Sequence, residues 1–158
     1  MKTIYLAGGC FWGVQRFIDG ADGVIKTVVG YANGKTENPS YEDVRYRGSG
    51  HAETCKVTFD PAVLPLERLI KRFLEVIDPF SVNKQGEDVG AQYRTGVYYT
   101  DKADAEIVKK LVADVEKTYG KPCAVEVLPL ENFYDAEEYH QKYLVKNPTG
   151  YCHILEKF

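Results

Sequence analysis

Two hydrophobic periods alternate along this chain, and their order is what most restricts its fold. Residues 4–7 form a short continuous apolar run, while 24–31, 51–59 and 95–100 carry the β-branched, alternating pattern of strands. Between them lie helix-period stretches. Residues 14–18 make one, and Leu66, Leu69, Ile70, Phe73, Leu74 and Ile77 make another, opened by Pro65 and closed before Pro79. A third helix follows Thr100 or Asp101, with Ile107, Val108, Leu111, Val112, Val115 and Tyr119 as its core stripe and Gly120 and Pro122 as its stop. Residues 123–128 read as a further strand and 135–146 as a polar, aromatic helix. Residues 32–50 and 80–92 read as long polar loops, a length that usually signals function. The expected fold is α+β: a two-layer sandwich with a ferredoxin-like core, additional elements and a coil C-terminal tail.

A chain of 158 residues, 44% apolar and 27% charged, suits one domain over 1–158 with a core that needs no staple. No apolar run approaches the ~20 residues of a spanning helix. The N-terminal run is also too short for the ~7–15 apolar residues of a secretory signal, so a cytoplasmic protein is expected. A net charge of −3 removes the electrostatic basis for nucleic-acid binding. The four cysteines, Cys10, Cys55, Cys123 and Cys152, show neither CxxC nor zinc spacing, so neither metal nor cofactor is expected. In a reducing compartment such thiols are buried filler or chemistry.

Cys10 is the first candidate for chemistry. In "GGCFWG" (8–13) it follows a strand and opens a helix, between glycines and next to the only tryptophan. A helix N-terminus favours a thiolate by ~0.3–1 kcal/mol, less than one pKa unit. Either a basic partner lowers its pKa further, or the substrate is itself activated for attack. A tight turn holding an inert, buried thiol is the plain alternative. Glu53 tips the balance, because strand alternation puts it on the same face as Cys55, Val57 and Phe59. A carboxyl there has a raised pKa and can stay protonated to serve as an acid. Tyr41 and Tyr93, each in a polar loop, add phenolic donors. Phe11 and Trp12 either seal the core or form a slot for a substrate methyl group. Cys55 and Cys123 read as inert strand residues. Cys152, in a Gly/Pro-flanked tail, is placed to move, as a thiol that resolves an oxidised partner must.

Five segments together resemble a known family: "GGCFWG" (8–13), "GHAE" (50–53), "QGEDVGAQYR" (85–94), "AEEYHQKY" (136–143) and "KNPTGYC" (146–152). In this order, over nearly the whole chain, they are similar to peptide methionine-S-sulfoxide reductases of the A type. The resemblance implies Cys10 as nucleophile, Glu53, Tyr41 and Tyr93 around the sulfoxide oxygen, Asp88 as a further catalytic residue, Phe11 and Trp12 against the substrate's methyl group, and Cys152 as resolver. It implies reduction of the S epimer, free or in oxidised proteins and peptides, through a sulfenic acid and then a Cys10–Cys152 disulfide reduced by thioredoxin. A monomer is expected. The chain departs from the family pattern at Gln15, Glu87 and Ala91, where Glu, Asn and Thr are usual. With six residues after Cys152, no second recycling cysteine is expected, so the disulfide must itself meet the reductant.

Two other functions compete. A cysteine hydrolase needs a histidine base beside the thiol, with His51, His140 and His153 as candidates. A binding module would use Phe11, Trp12 and the loop tyrosines as a methionine cage.

Overall fold

The computed structural model describes all residues, 1–158. Six elements build the core: β1 (Lys2–Gly8), α1 (Phe11–Asp19), β2 (Val24–Ala32), β3 (Ala52–Phe59), α3 (Leu66–Val76) and β6 (Thr95–Tyr99). Their strands pair antiparallel in the order β6-β1-β3-β2, which is the ferredoxin-like arrangement expected of a β-α-β-β-α-β chain. After α4 (Lys102–Tyr119), the strand β7 (Glu126–Pro129) adds parallel to β6. At the other edge β8 (Phe133–Asp135) adds antiparallel to β2.

The sheet buries its two faces unequally. Ile4 and Leu6, Val29 and Tyr31, Cys55, Val57 and Phe59, and Val97 meet Phe11, Val14, Phe17 and Ile18 of α1 and Leu66, Leu69, Ile70, Phe73 and Leu74 of α3 in one large cluster. Each fully buried aliphatic or aromatic side chain contributes about 1.5–3 kcal/mol, so this face supplies most of the driving force. The opposite face holds a smaller cluster, Tyr5, Ala7, Ala32, Ala52 and Tyr98, under Leu130 and Phe133.

Five expectations need correction. The first polar loop contains a helix, α2 (Tyr41–Tyr46), in which the Ser40 side chain accepts from the Asp43 amide while the Asp43 carboxylate accepts from the Ser40 amide. That capping box stabilises a helix too short to show a hydrophobic period. The second loop folds as a hairpin of β4 (Lys84–Gln85) and β5 (Asp88–Val89), followed by a 3₁₀ turn at Ala91–Tyr93.

Residues 135–146 are not one helix. They form the end of β8, a 3₁₀ turn at Glu138–His140, and the short α5 (Tyr143–Lys146). Gln141 explains this: its Oε1 accepts from the Val29 amide and its Nε2 donates to the Val29 carbonyl, so a side chain continues the pairing of the β2 edge beyond β8. Residues 123–125 also lie outside β7. The Ala124 amide bonds the Pro79 carbonyl instead, and Cys123 is half-buried in a loop. The α4 stripe is only partly covered, with Val108 buried and Tyr119 exposed.

Residues 147–158 are coil, as expected, but they are tied down. Ile154 is 1% exposed within the large cluster, Arg16 reaches its carbonyl, Arg72 reaches that of Lys157, and the Phe158 ring packs on Phe17.

Candidate active site

The turn from β1 to α1 carries the site. Gly9 has a φ of +85°, and a Cβ there would stand 2.6 Å from Cβ of the buried Gln85, so only glycine fits. Cys10 follows as the N-cap of α1, 8% exposed. Burial pushes its thiol pKa well up, and the charges of Glu53 and Asp88 add to the effect. The Trp12 and Gly13 amides at the open end of the helix pull the other way. They do not win: the Cys10 side chain makes no capping hydrogen bond, and no histidine, lysine or arginine hydrogen-bonds its sulfur.

Glu53, on β3, is 2% exposed and accepts a hydrogen bond of 3.2 Å from the amide of Phe11, the residue after Cys10. Burial pushes its pKa up to about 8; Asp88 adds to the rise, and the Phe11 amide and Arg45 oppose it. At neutral pH the carboxyl is therefore mostly protonated. Tyr93, on the 3₁₀ turn, is buried, and its phenol pKa is raised by burial and then by Glu53, Tyr41, Asp88 and Cys10, which surround it. Tyr41 opens α2, its hydroxyl accepting from Arg45 at 2.9 Å. Asp88 lies on β5 with Oδ2 buried and unpartnered. Burial raises its pKa, while His153 and Arg45 lower it. Two loops read as irregular in the sequence thus bring Asp88 and Tyr93 beside Cys10, with Tyr41 beside Tyr93.

The aromatic pair divides. Phe11 is 1% exposed and packs inward, 5.7 Å from the Tyr31 ring and 5.2 Å from His140. Trp12 is half-buried, stacks on Tyr143 at 3.7 Å, and donates from Nε1 to His140 Nδ1 at 3.0 Å. Since Nδ1 accepts, the neutral His140 ring carries its proton on Nε2. Burial lowers its pKa, opposed by Glu137. Glu137 in turn accepts from the Tyr41 amide and the Tyr31 hydroxyl. His140, Tyr143 and Glu137 thus pack against Trp12 and Tyr41; the sequence offered His140 only as a candidate hydrolase base, and Tyr143 and Glu137 not at all. Their signal was the segment 136–143, whose chemistry shows only once α5 lies across α1.

The tail brings Cys152 to the same place. Its Sγ stands 3.0 Å from where a Cβ on Gly13 would be, so the missing side chain of Gly13 is the space the second sulfur uses. All four cysteines are free thiols. Cys55 is fully enclosed in β3, and burial raises its pKa. His51 bonds the Thr36 carbonyl and the Gly34 amide, away from the thiols. No histidine hydrogen-bonds Cys10, which leaves a cysteine hydrolase without its base.

Against this geometry the comparisons agree with one another. The family profile described as peptide methionine sulfoxide reductase matches residues 2–157. A relative from Lachnoclostridium phytofermentans, named peptide methionine sulfoxide reductase MsrA, is 59% identical over 97% of this chain and 92% of its own. Among solved structures, reduced Mxr1 from Saccharomyces cerevisiae superposes with a TM-score of 0.92 at 38% identity, covering 99% of this chain and 92% of that one. Mxr1 in complex with Trx2 superposes with a TM-score of 0.64 at 30% identity, covering 90% and 84%.

Proposed function

The chain belongs to the peptide methionine sulfoxide reductase family, and on that premise we propose that it reduces the S epimer of methionine sulfoxide with Cys10 as nucleophile and Glu53 as acid. It is a thiol-dependent oxidoreductase that uses thioredoxin as reductant and acts on methionine sulfoxide, as its relatives' names and the Trx2 complex of a structural neighbour support. The observation that carries the assignment of roles is the hydrogen bond from the Phe11 amide to Glu53, which sets a protonated carboxyl one residue from a buried thiol.

A thiol whose pKa is raised cannot rely on resting as thiolate, so the substrate must be activated instead. Glu53, with Tyr41 and Tyr93, hydrogen-bonds the sulfoxide oxygen and makes its sulfur electrophilic. Glu53 passes its proton to that oxygen while Cys10 attacks, and the Cys10 proton returns to the carboxylate. Oxygen transfer leaves methionine and a sulfenic acid on Cys10, with one oxygen atom moved from substrate to thiol and the Glu53 carboxyl regenerated. Asp88, in this reading, holds the far side of the site. Trp12, with Phe11 behind it, bounds the slot for the methyl group. Cys152 then condenses with the sulfenic acid, releasing water and forming the disulfide that thioredoxin reduces.

No helix is long and apolar enough to cross a membrane. Four free thiols fit a reducing compartment, and we assign the protein to the cytoplasm as a single catalytic domain over residues 1–158. The test is a single turnover of reduced protein with racemic methionine sulfoxide and no reductant, followed by chiral analysis and disulfide mapping. Loss of the S epimer alone, with a Cys10–Cys152 bond, is the expected result. Unchanged substrate with both thiols free would overturn the proposal.

A further inference from the structure

His153 follows Cys152, and nothing in the reaction above gives it a task. Its Nε2 stands 2.7 Å from the Gly8 carbonyl oxygen. A carbonyl can only accept, so Nε2 carries the ring proton and the lone pair is on Nδ1. Nδ1 is buried without a partner, an arrangement that costs stability and calls for a reason. It stands 3.1 Å from where a Cβ on Gly13 would be, and Cys152 Sγ is 3.0 Å from that same point. The base and the thiol are thus no more than about 6 Å apart, over the first turn of the helix that begins at Cys10.

The surroundings suit a neutral base. Burial holds the imidazole below its ordinary pKa, opposed by the Gly8 carbonyl and by Asp88. From β5, Asp88 faces the ring with its own buried, unpartnered Oδ2. From β4, the neighbour is the uncharged Gln85 beside Gly9. From α1, Arg16 is turned to the Ile154 carbonyl at 3.4 Å, and on the tail the Tyr151 hydroxyl sits over Gly86.

We propose that His153 is the proton carrier of the resolving step, Nδ1 taking the proton of the Cys152 thiol and giving it to the hydroxide that leaves Cys10. This rests on the reading that Cys152 resolves a sulfenic acid on Cys10. The step balances without an outside reagent. The S–O bond of Cys10 breaks, the S–S bond forms, the Cys10 sulfur is reduced as the Cys152 sulfur is oxidised, and the thiol proton leaves in water. The Asp88 carboxylate offsets the transient imidazolium charge. At rest the Cys152 thiol donates to the Ile154 carbonyl at 3.0 Å, and rotation about its Cβ–Sγ bond re-aims the S–H.

The test compares wild type, His153→Gln and His153→Ala in a single turnover with methionine sulfoxide. Methionine, dione-trapped sulfenic acid and residual thiol are followed separately. The glutamine Nε2–H can keep the bond to the Gly8 carbonyl but brings no base. Its sulfenic acid is expected to accumulate and its disulfide to close roughly 10²-fold more slowly. Added imidazole or higher pH should restore much of that rate. A glutamine variant that closes the disulfide at the wild-type rate, with only alanine slow, would reduce His153 to a tether and overturn the proposal. A wild type that yields no methionine, or no Cys10–Cys152 bond, would instead break the earlier reading.

Discussion

The two thiols that must meet are held by opposite kinds of structure. Cys10 sits where β1 ends and α1 begins, locked by a positive-φ glycine before it, a helix after it and β3 beneath it. Cys152 sits in coil, and its sulfur is placed by a handful of tethers: Ile154 in the core, Arg16 and Arg72 on tail carbonyls, and His153 on Gly8. The difference follows the chemistry. Oxygen transfer needs an acid and a nucleophile in fixed register, which regular elements supply. Disulfide closure needs the second sulfur to move to a bonding distance of ~2.05 Å, and a coil held by separable contacts can do that.

The largest break of this contrast comes from exchanging the thiols for hydroxyls. Cys10→Ser should abolish methionine formation. Cys152→Ser should still give one equivalent and then stop with a persistent sulfenic acid, visible by mass spectrometry. Next comes Glu53→Gln, which keeps an acceptor for the Phe11 amide but loses the acid, so the first step should slow by roughly 10²–10⁴-fold.

The same substitution sharpens the comparison through stability. Because the folded-state pKa of Glu53 is raised to about 8, the unfolded chain ionises first as pH rises. Wild type therefore loses stability between the ordinary glutamate pKa and about 8, and holds a constant penalty above that. Glu53→Gln should be more stable than wild type by about 3–5 kcal/mol at pH 9 and lose that advantage at pH 4, measured by urea unfolding. A single-turnover rate of oxygen transfer that falls as pH rises through about 8 is the kinetic counterpart. A flat profile there would remove Glu53 as the acid.

Smaller effects test the tail. Gly13→Ala puts a methyl about 3 Å from Cys152 Sγ, so disulfide closure should slow more than oxygen transfer does. Ser40→Ala removes one arm of the capping box and should cost about 1 kcal/mol of helix stability, with only a modest loss of activity through Tyr41.

Much of this was legible in the chain. The core strands and helices are long enough to show a period, and Pro65 and Gly120 by their backbones and Asp101 by its side-chain cap mark helix ends locally. Glu53 was found by strand alternation, and the structure keeps it on the buried side. The elements that the sequence hides are short or rely on distant partners. The helix α2 has one buried residue, Val44, and β4 and β5 have two residues each, too few for any period to register. Residues 135–146 look helical until Gln141 is seen bonded to Val29. Phe11 looked equivalent to Trp12, yet only tertiary packing turns one inward and leaves the other half-exposed.

The sequence by itself determined the order of elements, the glycine-framed thiol and the carboxyl on an apolar strand, because local sterics and hydrophobic period act within a few residues. Tertiary structure decided which groups share the site. The pKa of Glu53, the neutral form of His140, the meeting of Cys152 with Gly13 and the free lone pair of His153 arise from burial and contacts between residues 40 to more than 130 positions apart, where no local pattern can reach.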